Sequence, residues 1–315
     1  MNNISFAGKV AIITGSGGGL GRAYAKELAR RGAKVVVNDL GGPVRGGGGS
    51  PAVADAVVAE IRSSGGTAVA NYDSVCTRKG GESIVRTALD TYGRVDIVIG
   101  NAGNLRSPAF EEISEDDWDS LHSTHLKGQF NVIQPAYKLM KAQGYGRILL
   151  ITSAVGMFGG AYQAAYGAAK AGAVGMMHSL ANEGSQYGIV VNALLPTANS
   201  RMSQEMHPDA MANFSVVPPE FFAAAMDPEF TVPLVAYLVS DQNQTTHAIY
   251  SSAGGRYARV FVSVTDGWQG PRDRPATAEE VLAHIGEIED RTGTSEFQSV
   301  AAEFVRIAEF FKKRG

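Results

Sequence analysis

The chain has a single cysteine, Cys76, among its 315 residues. One thiol excludes an intrachain disulfide and suits a reducing compartment. No histidine neighbours Cys76 in the sequence, which favours a structural thiol over a nucleophile. A surplus of basic charge is also missing. With 28 Lys and Arg against 31 Asp and Glu, the formal net charge is −3, which excludes the electrostatic footprint of a nucleic-acid binder. No apolar run approaches the roughly 18–20 residues that a membrane span requires. Met1 to Lys9 lacks a basic segment followed by an apolar one, so no secretory signal is expected there. Lys312-Lys313-Arg314-Gly315 is not a Ser-Lys-Leu-type peroxisomal address. The expectation is a cytoplasmic protein with no membrane span and no nucleic-acid partner. Glycine, in contrast, is abundant at 38 residues, several of them clustered where backbone can approach a ligand.

Short β-branched runs alternate with helical stretches. Val10-Ala11-Ile12-Ile13 reads as a buried parallel strand, Leu20 to Arg31 as a helix closed by Gly32, and Lys34 to Asn38 as a second strand. Pro51 opens a helix to about Ser63. Thr67 to Asn71 reads as a third strand, Gly80 to Tyr92 as a helix and Val95 to Ile99 as a fourth strand. Two helices fill Glu115 to about Gln143. A strand at Arg147 to Thr152, a long helix at Tyr162 to Tyr187 and a strand at Ile189 to Leu194 follow, then a helix at Val232 to Ser240 and a last strand at Val260 to Val264. This alternation predicts an α/β fold, a Rossmann-type doubly wound parallel sheet with helices on both faces.

Three stretches depart from the alternation. Gly41 to Ser50 reads as a Gly-rich connecting loop. Thr197 to Phe230 is irregular and holds Met202, Met206, Met211, Phe214, Phe221, Phe222 and Met226; it reads as a lid or as a surface subdomain packing its own apolar residues. Thr277 to Arg291 and Ser295 to Lys313 read as amphipathic helices, the second with Phe297, Val300, Phe304, Ile307 and Phe311 near helical spacing. The expected organisation is a dinucleotide-binding domain over 1–267, with the lid at about 197–230. A helical C-terminal extension over 268–315 docks on that domain or on a partner subunit.

Thr14-Gly15-Ser16-Gly17-Gly18-Gly19-Leu20-Gly21 lies between the first strand and the first helix. Glycines there let the backbone turn tightly and approach a pyrophosphate, whose charge is held at the helix N-terminus. Gly15, Ser16, Gly18, Gly19, Leu20 and Gly21 are the candidate residues for it. Asp39, with Leu40 beside it, closes the second strand. Its carboxylate can accept hydrogen bonds from the adenosine ribose hydroxyls and repels a 2′-phosphate, which selects NAD over NADP. Arg45 is the opposing feature, a cation able to fold back on a phosphate or to stay solvated. Asp39 has a second reading as a capping or turn residue. Asp73 and Ser74, after the third strand, are candidates for the adenine edge. Asn101-Ala102-Gly103 ends the fourth strand, where small residues let a cofactor lie across the sheet crevice; Asn101 can also brace neighbouring strands.

Tyr166-Gly167-Ala168-Ala169-Lys170 puts a phenol and an ammonium on one helix face, a turn apart. The ammonium is expected to lower the phenol's pKa toward working pH. Such a phenol can take a proton from an alcohol while a hydride leaves the same carbon, and Ser153 can hold the alcohol oxygen. A lone Tyr-x-x-x-Lys pair is a weak signal; the glycine turn upstream gives it weight.

Together these residues resemble the short-chain dehydrogenase/reductase family. Its Thr-Gly-x-x-x-Gly-x-Gly is matched by Thr14, Gly15, Gly19 and Gly21, and its Asn-Ala-Gly by Asn101, Ala102 and Gly103. Its catalytic Ser, Tyr and Lys are matched by Ser153, Tyr166 and Lys170, and the match spans about residues 5 to 267. The resemblance implies that Tyr166 is the acid/base, that Lys170 lowers its pKa and binds the nicotinamide ribose, and that Ser153 orients the oxygen. Where the family usually has an Asn supporting a water relay to the Lys, this chain has His125, read as a relay member, a backbone-positioning residue or a packed histidine. Pro196-Thr197 stands where the family often has Pro-Gly, and Thr197 can bond the nicotinamide amide.

A narrower likeness covers nearly the whole chain. Val36 to Gly42, Ala70 to Val75, Tyr145 to Ile148 and Asn199 to Met202 are similar to the (3R)-hydroxyacyl-CoA dehydrogenase units of type 2 peroxisomal multifunctional enzymes. Bacterial relatives of those units act in acyl-CoA and sterol side-chain breakdown, and some oxidise 17β-hydroxysteroids. The resemblance implies an NAD-dependent dehydrogenase of a small-molecule secondary alcohol, with an acyl-CoA as first choice and a steroid as second, in a homodimer or homotetramer. Arg106, Arg201 and Arg256 are candidate cations for CoA phosphates. A non-catalytic NAD-binding regulator is the distant alternative; the intact Ser153, Tyr166 and Lys170 set argues against it.

Overall fold

Val10–Thr14 (β1) is buried along its whole length, and Lys34–Asn38 (β2) along all but Lys34. Strands with both faces apolar need cover on both sides. Helices Gly19–Arg30 (α1) and Pro51–Ser63 (α2) are part of that cover, each turning an apolar stripe inward. Tyr24, Leu28, Val57 and Ile61 on the helices pack with Ile13, Val35 and Val37 on the strands, and each buried large aliphatic side chain contributes about 1.5–3 kcal/mol. These features belong to a computed structural model that describes residues 3–45, 48–198, 207 and 226–313. Most of the expected lid, including Arg201, Met202, Met206, Met211, Phe214, Phe221 and Phe222, lies outside the described residues.

The chain continues through Thr67–Asn71 (β3), Arg78–Tyr92 (α3), Ile97–Gly100 (β4), Glu115–His125 (α4), Lys127–Gln143 (α5) and Gly146–Ile151 (β5). After these come Ala154–Phe158 (α6), Ala164–Gly184 (α7), Ile189–Thr197 (β6), Val232–Leu238 (α8), Ile249–Ala253 (β7) and Arg256–Val260 (β8). The sheet order is β3-β2-β1-β4-β5-β6-β7-β8, parallel from β3 through β7. This is the doubly wound, Rossmann-type arrangement. The strand order reverses between β1 and β4, which is where such sheets open a crevice at their carboxyl ends.

The end of the sheet differs from the sequence reading, which puts the last strand at Val260 to Val264. The strand beside β6 is β7, registered Ala193 to Ile249. Gly254 and Gly255, at φ 54° and 79°, then make the two-residue turn that a tight hairpin needs, and the chain returns as β8.

The chain divides at Arg259 and Val260 into two compact units. Within the second, Ser263–Thr265 (β9) pairs antiparallel with Thr294–Glu296 (β10). Its helices are Ala278–Ala283 (α9), Ile285–Ile288 (α10) and Val300–Lys313 (α11). The helix expected from Thr277 is broken at His284, and the one expected from Ser295 starts only at Val300 because Ser295 is used in the β9–β10 ladder. Among the described residues no helix is long and apolar enough to cross a membrane.

Candidate functional site

The turn from β1 into α1 is glycine for steric reasons. Gly15 has φ +63°, and a Cβ there would lie 2.7 Å from Ala102 Cα; one on Gly21 would lie 2.3 Å from the Gly15 carbonyl oxygen. Gly19, at φ +49°, has nothing within 4 Å and faces open space. Gly18 caps α1 with no side chain to bond the first-turn N–H groups, so these donors and the positive helix end are presented to a ligand. They open on a crevice of ≈ 410 Å³ whose lining includes Gly15, Gly18, Gly19, Leu20, Asp39, Leu40, Asp73, Ser74, Asn101, Ala102 and Gly103. Ser16 and Gly21 sit behind that lining and shape the turn: Ser16 is buried, with Oγ donating to the Ile13 carbonyl at 2.7 Å.

Asp39 serves the loops on both sides of it. One carboxylate oxygen accepts the Gly17 N–H at 2.8 Å and the other the Gly41 N–H at 2.7 Å. A carboxylate has about four lone-pair sites, so both oxygens can still take a ribose hydroxyl. Asn101 braces β4 against the glycine turn: Nδ2 donates to the Thr14 and Gly15 carbonyls, each at 3.0 Å, and Thr14 Oγ1 accepts the N–H groups of Asn101 and Ala102, each at 3.0 Å. The Asp73 carbonyl accepts from Asn38 Nδ2 at 2.9 Å, which ties β2 to the segment after β3.

Asn104 also lines the crevice and is absent from the residues expected from sequence. Its Nδ2 donates to Ser120 Oγ at 2.8 Å, while its Oδ1 is buried with no partner. A buried acceptor left bare is costly and fits a ligand that supplies a donor. The only sequence signal for Asn104 is that it follows Asn101-Ala102-Gly103. The open glycine turn, the helix end, the Asp39 carboxylate and this acceptor together fit a dinucleotide. The loop from Gly41 to Ser50 is more than a connection, since Gly42, Pro43 and Val44 form part of the crevice wall. Cys76 lines the crevice as well, with Sγ 3.4 Å from Thr124 Oγ1.

Beyond Gly103 lies the second cluster. Ser153 caps α6, its Oγ accepting the Val155 N–H at 3.2 Å, and its side chain acts on the Tyr166 phenol to lower its pKa. Lys170 is buried, donates from Nζ to the Ile151 carbonyl at 2.8 Å and stands 5.7 Å from the Tyr166 ring centre. Thr152 Oγ1 donates to the Lys170 carbonyl at 2.8 Å, fastening α7 to the end of β5. Burial pushes Lys170 down to about 7. Burial also raises the Tyr166 phenol, against which Ser153 acts to lower it. This net direction is opposite to the one expected from sequence: with Lys170 buried and Tyr166 half-buried, desolvation disfavours ammonium and phenolate alike.

His125 joins the two clusters. It is fully buried, edge-on to Tyr166 with ring centres 5.0 Å apart. Its Nε2 lies 2.7 Å from the Asn104 carbonyl, and a Cβ on Gly103 would lie 2.7 Å from its Cε1. Burial, then the charge of Lys170, hold its pKa well below the ordinary range, so the ring is neutral. With Nε2 donating to Asn104, Nδ1 is a bare acceptor, buried without a partner.

The remaining candidates are more scattered. Pro196 and Thr197 are half-buried at the end of β6, paired with Ser252 and Ala253. Arg106 is ion-paired with Asp116 and Asp117, Arg256 is exposed on β8, and Arg201 is outside the described residues.

Residues 9–210 match the family model described as short chain dehydrogenase. Over 285 residues the chain is 44% identical to a short-chain type dehydrogenase/reductase of Mycobacterium tuberculosis, covering 90% of this chain and 95% of that protein. It is 42% identical to peroxisomal multifunctional enzyme type 2 of Mus musculus, over 98% of this chain but 40% of that enzyme. The structure of full-length peroxisomal multifunctional enzyme type 2 from Drosophila melanogaster superposes with a TM-score of 0.78 at 31% identity, covering 98% of this chain and 50% of that one.

Proposed function

The chain belongs to the short-chain dehydrogenase/reductase family and is an oxidoreductase, and on that premise we propose that it oxidises a secondary alcohol with NAD, converting a (3R)-hydroxyacyl-CoA to the 3-oxoacyl-CoA in fatty acyl or sterol side-chain degradation. The observation that carries the chemistry is the placement of Tyr166 beside buried Lys170, Nζ 5.7 Å from the Tyr166 ring centre, with Ser153 at the head of α6 and His125, edge-on to the same ring, linking the cluster to the crevice through Asn104. The substrate class is supported by the likeness to the multifunctional enzyme over 98% of this chain. NAD is supported by the Asp39 carboxylate in the crevice wall.

A bound nicotinamide would supply the hydride acceptor. Ser153 Oγ orients the alcohol oxygen and stabilises the charge that develops on it. Tyr166 takes the alcohol proton on Oη as the phenolate, a form that burial opposes and Ser153 favours, with Lys170 Nζ 5.7 Å from the ring as the neighbouring amine. His125 holds the Asn104 carbonyl and, through it, the wall that positions the reacting groups. The glycine turn and the uncapped start of α1 would hold the pyrophosphate.

The test is NADH or NADPH formation from (3R)- and (3S)-hydroxyacyl-CoA of several chain lengths and from a 17β-hydroxysteroid. Turnover of the (3R)-thioester with NAD supports the proposal; turnover of the steroid alone replaces the substrate class. Tyr166→Phe is expected to cut kcat by about 10²–10⁴-fold while dinucleotide binding, measured by fluorescence titration, is retained. Substantial residual turnover would sink the role given to Tyr166.

A further inference from the structure

The loop after β2 is closed at its neck. The Ser50 N–H donates to the Leu40 carbonyl at 3.0 Å. Gly41 sits in that neck at φ +74°, where a Cβ would fall 2.1 Å from the Ser50 oxygen. A loop whose ends meet is a lobe rather than a tether. On its far side this lobe meets the segment that follows β4. The Leu105 N–H donates to the Val44 carbonyl at 3.1 Å, and Arg106 Nε donates to the Arg45 carbonyl at 3.2 Å. Val44 and Leu105 are both buried. Gly42 to Val44 form one wall of the crevice and Asn101 to Asn104 another, so these two bonds strap wall to wall.

Arg106 fastens the strap. Its Nη1 is paired with Asp116 and, at 3.1 Å, with Asp117. Asp117 is in turn the third residue of the capping box that Ser114 opens at the start of α4. One guanidinium thus ties together the lobe, the segment after β4 and the helix whose Ser120, Ser123 and Thr124 also face the crevice. At the root of the lobe, Asp39 holds Gly41 with one oxygen and the glycine turn with the other. The strap is therefore anchored at one end on Asp39, which lines the crevice, and at the other on the first turn of α4, whose later turns line it.

We propose that Arg106 is a positioning residue for the dinucleotide, clasping the lobe against Leu105 so that it sets how tightly the dinucleotide is held and how fast it leaves. This rests on the reading of the crevice as a dinucleotide site. It also gives Arg106 a role other than that of a cation for CoA phosphates, since its Nε and Nη1 are engaged by the Arg45 carbonyl, Asp116 and Asp117.

The experiment measures NADH affinity and release by fluorescence titration and stopped flow on the full-length protein and its variants. Arg106→Gln is expected to raise Kd and the release rate about tenfold, equivalent to about 1.4 kcal/mol, and to leave KM for the thioester at saturating NAD close to that of the wild type. Arg106→Lys keeps the charge but lacks the planar fork that reaches a carbonyl and two carboxylates at once, so it recovers part of the loss. Asp116 is 84% exposed, so Asp116→Asn will fold; it is expected to speed release by a smaller factor, about threefold. Unchanged release in both Arg106→Gln and Asp116→Asn overturns the clasp. So does a raised thioester KM with dinucleotide affinity intact, which would put Arg106 on the CoA phosphates. A wild-type protein that binds neither NADH nor NADPH overturns the dinucleotide reading itself, and the clasp with it.

Discussion

The two oxygens of Asp39 hold the backbones of Gly17 and Gly41, and that grip fixes the direction in which their remaining lone pairs point. A ribose diol meets two acceptors in place; a 2′-phosphate meets a negative charge that cannot swing away without releasing both loops. The preference for NAD proposed above is therefore coupled to loop geometry. Asp39→Asn keeps the size but turns an NH₂ group toward one of the glycine N–H donors and removes the charge. The expected result is a roughly 10–100-fold fall in the ratio of kcat/KM for NAD to that for NADP, the size of losing hydrogen bonds to a charged group. Steady-state kinetics with both dinucleotides reads it directly, and an unmoved ratio would mean that another group selects the cofactor. The carboxylate at the end of the second strand is plain in the sequence. Its grip on two glycines is not, because Gly17 and Gly41 come together only once β1 and β2 are paired.

Between elements, one contact sensitive to acid is a histidine pair that no local pattern announces. His178 on α7 and His247 before β7 lie with ring centres 4.1 Å apart and planes tilted by 41°, and His178 Nδ1 lies 2.9 Å from His247 Nε2. A hydrogen bond between imidazoles needs a bare nitrogen on one of them. Burial, then the charge of His247, push His178 from 6.5 down to about 4; burial, with Arg259 adding to it, pushes His247 down as well. The unfolded chain therefore binds protons at a higher pH than the folded one. The stabilisation is fully present above about 6.5 and is lost as pH falls toward about 4. Because both rings are partly exposed, its size after screening is about 1 kcal/mol. Urea midpoints of wild type and His178→Gln should converge as pH falls through that window; curves that stay parallel would refute the linkage. The elements themselves divide in the same way. β2, β3 and α2 are read from sequence at their observed bounds because their apolar residues are contiguous or Pro-capped. β7, Ile-Tyr-Ser-Ser-Ala, has no such run and is a strand because β6 offers it an edge. The glycine turn, Asn101, Ser153, Tyr166 and Lys170 stand out as motifs. Asn104 and residues 42–45 gain their place only from packing between distant segments.

At the scale of the whole molecule, the second unit carries several large apolar side chains that are exposed. Val300, Phe304 and Ile307 recur at the spacing of one helix face on α11, and all three are exposed. Leu282 on α9 and Phe261 before β9 are exposed too. Single exposed apolar residues are ordinary, whereas a stripe of them along a helix marks a contact surface. A net charge of only −3 does little to keep copies apart. The expected state is a homodimer or homotetramer that covers this stripe. Sedimentation velocity at micromolar concentration should show no monomer for the wild type, and Phe304→Glu, which puts a charge in the middle of the stripe, should shift the distribution toward monomer while the first unit keeps its dinucleotide affinity. A wild-type protein that sediments only as monomer would refute the assembly. A Phe304→Glu variant that stays fully assembled would place the interface on another face.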